Sequence, residues 1–84
     1  MHPLIKYMNA LILNDRNLID ILECVADLGE VMFYKMDGER SQRKYTVVIA
    51  FHDAPMSTIR ADSETLQEGV QRVLKEYCSL KNIV

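Results

Sequence analysis

The most regular hydrophobic pattern of the chain lies near its end. Apolar residues recur there at spacings of three and four, at Leu66, Val70, Val73, Leu74, Tyr77 and Leu80. This spacing puts them on one side of a helix, so the segment predicts a helix that packs on a flat surface. Asp62 or Ser63 can accept hydrogen bonds from the N–H groups of its first turn. Gly69 borders the apolar stripe, and we expect it to permit close approach to a sheet.

The middle of the chain predicts a β-hairpin. Residues 30–36 and 44–51 are rich in Val, Ile, Phe and Tyr, and the polar residues 37–43 join them. Within the second strand, residues 47–49 read Val-Val-Ile. Consecutive apolar residues in a strand indicate that both of its faces meet apolar surroundings, so this strand is expected at the centre of the sheet.

A third strand is predicted after the hairpin, at residues 56–61, beyond a turn at residues 52–55. Its polar residues Ser57, Thr58 and Arg60 are typical of an edge strand. Such an edge can pair with the strand of a partner or with a second copy of the chain.

The N-terminal third predicts two helices. Pro3 suits a first helical position, and the apolar stripe of the first helix is Leu4, Ile5, Met8, Leu11 and Ile12. Residues 14–17 interrupt the pattern, and one continuous helix would place Asp15 on the buried stripe. We expect Asn17 to cap the second helix and Gly29 to end it. The apolar residues of this second helix are Leu18, Ile19, Ile21, Leu22, Val25 and Leu28.

These elements predict a two-layer α+β fold with the element order α-α-β-β-β-α. Three antiparallel strands in the order 1-2-3 form one layer, and the helices form the other. A chain of 84 residues is too short for two independent cores. We therefore expect a single domain over residues 1–84.

Composition excludes several classes of protein. Apolar residues make up 49% of the chain and charged residues 26%, which is typical of a globular domain. No apolar run approaches the ~20 residues that a bilayer span needs, and no signal peptide is indicated, so we expect a cytoplasmic protein that binds no membrane. The net charge is −2. This balance argues against general nucleic-acid binding, because nucleic-acid affinity depends on clustered Lys and Arg.

The sequence contains no motif that carries specific chemistry, and we predict a protein without catalytic residues, metal or cofactor. Common nucleotide, metal and hydrolase motifs do not occur. Cys24 and Cys78 lie in predicted helices, where a small thiol is an ordinary core residue. A minor alternative is an enzyme in which His52 activates Cys78. A metal held by His2, His52 and both cysteines would need four distant segments to meet.

Two surfaces remain as candidates for partner binding. The basic side chains around the hairpin are Lys35, Arg40, Arg43, Lys44 and Arg60, and they can hold an acidic partner or belong to a solvated turn neutralised by Asp37 and Glu39. Alternation in the first strand separates Val31 and Phe33 from a second set of side chains. That second set, predicted as an exposed patch on the uncovered side of the sheet, is Met32, Tyr34 and Met36. If the N-terminal helices cover that side, no patch is left.

Two families resemble this chain. The order helix, three strands, helix resembles the double-stranded RNA-binding domain, but residues 62–65 (DSET) stand where that family has a basic cluster, so its function is not carried over. Residues 45–49 (YTVVI) and 59–70 (IRADSETLQEGV) are similar to small phage-encoded α+β proteins, including anti-CRISPR inhibitors of bacterial defence. The second resemblance implies an inhibitor or regulator of a host protein complex, as a monomer or homodimer. A nucleic-acid-binding module that uses the basic hairpin is the alternative.

Overall fold

The structure is a computed structural model that describes residues 2–53 and 57–83. Its elements are α1 (Pro3–Met8), α2 (Asp15–Asp27), β1 (Val31–Met36), β2 (Tyr45–Ala50), β3 (Thr58–Ser63) and α3 (Leu66–Leu80). The strands form one antiparallel sheet in the order β1-β2-β3. The predicted fold class, element order and central position of β2 are therefore confirmed.

The first helix is shorter than its apolar pattern predicted. Pro3 takes the first helical position as expected, but α1 ends at Met8. Leu11 and Ile12 lie beyond it with their side chains in solvent. Their assignment to a buried helical stripe was wrong.

Two glutamines of α3 explain why the chain leaves the helix at this point. Gln71 donates to the carbonyl oxygen of Ala10 at 2.8 Å, and Gln67 donates to that of Leu11 at 2.8 Å. Gln67 also accepts from the N–H of Leu13 at 2.9 Å. These side chains satisfy backbone groups that would otherwise need a helical turn. The contacts are far apart in sequence, so local periodicity does not reveal them.

The second helix begins one turn earlier than predicted. Asn14, not Asn17, is the N-cap, and the two side chains bond each other's backbone N–H at 2.8 and 3.0 Å as a capping box. At the other end Gly29 has φ of +92°, and the N–H of Glu30 donates to the carbonyl of Val25 at 3.3 Å. This left-handed helix ending confirms the role predicted for the glycine.

All three helices lie on one side of the sheet. Helix α3 packs on β2 and β3, α2 packs on β1, and α1 packs against the other two helices. Their shared core is formed by Leu4, Tyr7, Ile21, Val25, Val47, Ile49, Ile59, Ala61, Val70, Val73, Leu74, Tyr77 and Cys78. The N-terminal helices therefore do not wrap around to cover the opposite side of the sheet.

The approach of α3 to the sheet depends on Gly69. A Cβ atom at this position would lie 2.5 Å from Ser63 Oγ and 2.9 Å from Val47 Cγ2, so the predicted close contact is confirmed. Ser63 ends β3, and the helix cap is Thr65, whose hydroxyl accepts from Glu68 N–H at 3.1 Å. The caps predicted at residues 62 and 63 were therefore wrong.

The third strand runs two residues further along the chain than predicted. It covers Thr58–Ser63, whereas the first residue of the predicted span, Met56, lies outside the described residues. No helix in the described part of the chain is long and apolar enough to cross a membrane.

Candidate functional site

The side of the sheet opposite the helices, here called the open face, consists of three cross-strand rows. Residues directly opposite each other in antiparallel strands point to the same side. The register therefore gives the rows Lys35–Thr46–Asp62, Phe33–Val48–Arg60 and Val31–Ala50–Thr58. The first row is polar, whereas the other two are largely apolar on β1 and β2. The open face thus has a charged end near the hairpin and an apolar end away from it.

Arg40 folds back from the hairpin loop over the charged end. Its guanidinium donates to Thr46 Oγ1 at 2.7 Å and pairs with Asp37 at 3.2 Å and Asp62 at 3.5 Å. Thr46 donates to the same Asp62 carboxylate at 2.6 Å, and Arg60 reaches it at 3.4 Å. Hydrogen bonding to Thr46 lowers the pKa of Asp62 despite partial desolvation, with further lowering from the two arginines. This network shields Thr46 from solvent.

The apolar end of the open face remains accessible. Val31 is 58% exposed and Phe33 is 50% exposed, and Val48 beside Phe33 is only half-buried. Two positive side chains are nearby: Arg60 lies in the row of Phe33 and Val48, and Lys35 lies in the row next to it. The open face therefore presents a half-exposed aromatic ring, with Lys35 in the next row and Arg60 beyond Val48.

The β1 side chains that were predicted to form the uncovered patch do not belong to the open face. Met32 pairs with Ile49 and Tyr34 pairs with Val47, both of which belong to the core. Met32, Tyr34 and Met36 therefore lie on the helix side of the sheet, and their predicted placement on the uncovered side was wrong. Met32 is half-buried, but Tyr34 and Met36 are exposed, Met36 by 67%. Both strand faces of β1 thus carry accessible apolar side chains.

The predicted basic residues are only partly brought together. Arg40 and Arg60 meet at Asp62, as described above. Arg43 and Lys44 are exposed at the end of the hairpin loop, and the backbone N–H of Arg43 donates to Glu64 Oε1 at 3.0 Å. The predicted basic residues therefore do not form one dense patch, and Arg40 and Arg60 are paired with carboxylates.

A buried carboxylate that sequence reasoning did not single out lies at the opposite end of the sheet. Glu30, which immediately precedes β1, is almost fully buried. It accepts from the backbone N–H of His52 at 3.0 Å and from the Tyr77 hydroxyl at 3.0 Å. His52 Nδ1 lies 2.6 Å from the same carboxylate, and Lys81 Nζ lies 3.4 Å away. Gly29 makes room for the His52 ring, because a Cβ there would lie 3.3 Å from it.

The protonation state of this cluster follows from its contacts. Burial alone would raise the pKa of Glu30, but hydrogen bonds from His52, Tyr77 and Lys81 outweigh it and lower the pKa to about 2. The ionised carboxylate only accepts hydrogen bonds, so His52 donates through Nδ1. Burial and the bond to Glu30 raise the pKa of Tyr77, which stays protonated. The pKa of Lys81 is also raised, because Glu30 and Asp53 outweigh its desolvation.

The contacts around Glu30 hold this end of the sheet together, and they do not supply the His52–Cys78 pair that we considered from sequence. Cys78 is buried. Burial raises the pKa of its thiol, and the nearby Cys24 raises it further. Among residues 2–53 and 57–83, no hydrogen bond joins Cys78 to His52. Glu30, His52 and Asp53 bring ligand atoms within 4.8 Å of one another. However, the Lys81 ammonium lies 3.4 Å from Glu30 and from Asp53 and supplies the counter-charge that a cation would bring.

The comparisons with known proteins assign no relationship. No protein-family model, curated protein or solved structure matched this chain. The function is therefore argued below from the surfaces of the molecule alone.

Proposed function

We propose that this chain is a small non-catalytic module that binds another protein through the open face of its sheet. The observation that carries the proposal is the accessible apolar end formed by Val31, Phe33 and Val48 on a face that the helices leave uncovered. Contiguous apolar surface of this kind usually marks an interaction site. A half-exposed aromatic ring at its centre is the type of residue that dominates binding energy in interfaces.

The charged side chains near Phe33 indicate the chemistry of the partner surface. Lys35 lies in the row next to Phe33. Arg60 lies in the same row as Phe33 but beyond Val48, and both Arg60 and Arg40 are engaged with Asp62. A partner with an apolar side chain flanked by carboxylates would match this surface, because opposite charges at the rim favour encounter and fix orientation.

Protein is a better match than nucleic acid for this surface. Nucleic-acid affinity depends on neutralising several phosphates in a row with Lys and Arg. On the open face Arg40 and Arg60 share Asp62, and a further carboxylate, Glu64, lies beside the hairpin and accepts from the backbone N–H of Arg43. An apolar centre also contributes little to binding a phosphate backbone.

The resemblance to small phage proteins extends the proposal to the partner's origin. It leads us to propose a bacterial protein complex, whose activity this chain inhibits or regulates. A bacterial lysate is therefore the first source of candidate partners.

The test compares capture of proteins by the immobilised wild-type chain, Phe33→Ala and Leu11→Ala. Leu11 is a 95% exposed apolar residue outside the open face, which makes its variant the matched control. We expect a partner retained by the wild type and by Leu11→Ala to be lost with Phe33→Ala. Removing a central aromatic anchor typically costs about 2 kcal/mol or more, or roughly 30-fold in affinity.

Two further conditions identify the class of partner. Capture that persists after nuclease treatment and at raised salt supports a protein contact through the apolar end. Capture that disappears with nuclease and falls steeply with salt would support the nucleic-acid alternative. A purified partner that binds Phe33→Ala as tightly as wild type would exclude the open face as its site.

A further inference from the structure

The two edges of the sheet can be compared group by group, because the ladder fixes the direction of each backbone group. The N–H of Asp37 donates to the carbonyl of Lys44 at 2.8 Å, in line with the register of β1 and β2. Hydrogen-bonded pairs alternate with non-bonded pairs along an antiparallel ladder. The odd-numbered residues of β1 therefore bond to β2. The even-numbered residues Met32, Tyr34 and Met36 direct their N–H and C=O groups outwards, away from the sheet.

The β3 edge is protected by α3 at one end. By the same alternation, Phe51 N–H donates to Ser57 at 3.2 Å, so Thr58, Arg60 and Asp62 direct their backbone groups outwards. Arg72 of α3 donates to the outward carbonyl of Asp62 at 3.1 Å. Charged side chains beside an edge are a common protection against pairing with another strand.

The β1 edge lacks such protection within residues 2–53 and 57–83. No side chain there bonds to the outward backbone groups of Met32, Tyr34 or Met36. Four of the six β1 residues are large exposed apolar side chains, on both faces of the strand: Val31, Phe33, Tyr34 and Met36. Lys35 is the single charge on the strand. A strand that leaves both its backbone and its apolar side chains accessible is a template for another strand.

We propose that β1 pairs with β1 of a second copy, antiparallel and centred on Tyr34, to form a dimer with one continuous six-stranded sheet. Each of the three outward residues offers one donor and one acceptor. With Tyr34 opposite Tyr34 and Met32 opposite Met36, all of these groups in both copies are paired, which gives six N–H···O=C bonds.

The charge of Lys35 favours this register and a second copy as the occupant. A shift that centres the pairing on Lys35 would place two ammonium groups opposite each other and leave Met32 unpaired. A shift towards Phe33 leaves Met36 opposite Glu30, which is buried and bonded within its own chain. Centring on Tyr34 instead places Lys35 opposite Phe33 of the second copy, where a cation can lie against an aromatic ring. The strand is thus self-complementary about Tyr34.

The pairing also covers apolar surface on both sides of the sheet. Residues opposite each other share a face, so Tyr34 would meet Tyr34, and Met32 would meet Met36, on the helix side. The two-fold axis is perpendicular to the sheet in this register, so both open faces lie on the same side. The two Phe33 side chains would then belong to one continuous surface. This inference stands independently of the proposed partner binding.

The test measures the mass of the full chain in solution by sedimentation or light scattering over a dilution series. We expect the wild type to have twice the 9.7 kDa mass of the chain and to dissociate on dilution. Tyr34→Pro removes an outward N–H without removing a bond of the β1–β2 ladder, and proline is tolerated at strand edges. We expect it to remain folded by circular dichroism and to weaken dimerisation at least tenfold. Tyr34→Ala loses the same side chain but keeps the backbone donor, so it is expected to weaken dimerisation less than Tyr34→Pro does.

Amide hydrogen exchange of the wild type gives an answer that does not depend on a folded variant. We expect the amides of Met32, Tyr34 and Met36 to be protected at high concentration and to exchange faster on dilution. A wild-type chain that is monomeric throughout, or rapid exchange at these three amides at every concentration, would overturn the proposal. Equal loss of the dimer in Tyr34→Pro and Tyr34→Ala would also overturn it. A monomer that still binds a partner through Phe33 would leave the proposed function intact.

Discussion

Replacing Glu30 by Gln tests whether the buried carboxylate fastens the end of the sheet to α3. The side chain is almost fully buried and accepts hydrogen bonds from His52 and Tyr77, with Lys81 close by. Gln keeps the shape of the side chain but loses its charge. Its amide nitrogen donates hydrogen bonds at a position where a carboxylate oxygen of Glu30 accepted them. We expect Glu30→Gln to fold with reduced stability at neutral pH.

The pH dependence of that loss follows from the lowered pKa of Glu30. Its pKa is about 2 in the folded chain against 4.5 ordinarily, so the unfolded chain takes up the proton first as pH falls. The stabilisation is therefore complete above about pH 4.5 and is lost between pH 4.5 and 2. This pKa difference corresponds to about 3 kcal/mol. Since His52 and Lys81 are partly in solvent, which screens their charge, we expect about 1–2 kcal/mol.

The assay is urea unfolding of the wild type and Glu30→Gln at a series of pH values from neutral to about pH 2. The stability difference between them should shrink by about 1–2 kcal/mol over the acid range. Glu23→Gln removes an exposed carboxylate of α2 and reports the effect of net charge alone. If the difference between the wild type and Glu30→Gln is the same at every pH, the proposed anchoring by an ionised Glu30 is wrong.

Two further substitutions test local features of the fold. Gly69→Ala would ordinarily stabilise a helix by about 1 kcal/mol. Here the new Cβ would contact Ser63 and Val47, so we expect a net loss of stability of about 1–2 kcal/mol. Unchanged or raised stability in urea would show that the sheet can move away from the helix. Asn14→Ala removes the capping box with Asn17 and should cost about 1 kcal/mol, whereas an unaltered denaturation midpoint would show that the cap is not needed.

The elements with a strong local pattern could be predicted from sequence. The α3 stripe contains four residues that are buried in the core, Val70, Val73, Leu74 and Tyr77, and its spacing of three and four fixes the helix. Gly29 was also predictable, because a glycine directly after an apolar helical pattern suits the left-handed residue that ends it. Both features are encoded by residues that are close together in the chain.

The features missed from sequence depend on distant contacts. Leu11 and Ile12 continue the α1 pattern, but Gln67 and Gln71 of α3 bond to the backbone around them and stop the helix. Glu30 is buried because His52 and Tyr77 surround it, and both follow it by more than twenty residues. A single glutamate before a strand carries no local signal of burial, since most glutamates are exposed.

The face of β1 could not be predicted for a different reason, which bears on function. Alternation identifies the core face of a strand only when the other face is polar, and β1 carries Val31 and Phe33 on one side and Met32, Tyr34 and Met36 on the other. In a strand buried on both sides this pattern is ordinary, but β1 is an edge strand with most of these side chains exposed. The pattern is therefore typical of an interior strand that lacks one neighbour. Pairing with a second β1 would place it in the interior of a longer sheet, which accounts for the apolar residues on both of its faces.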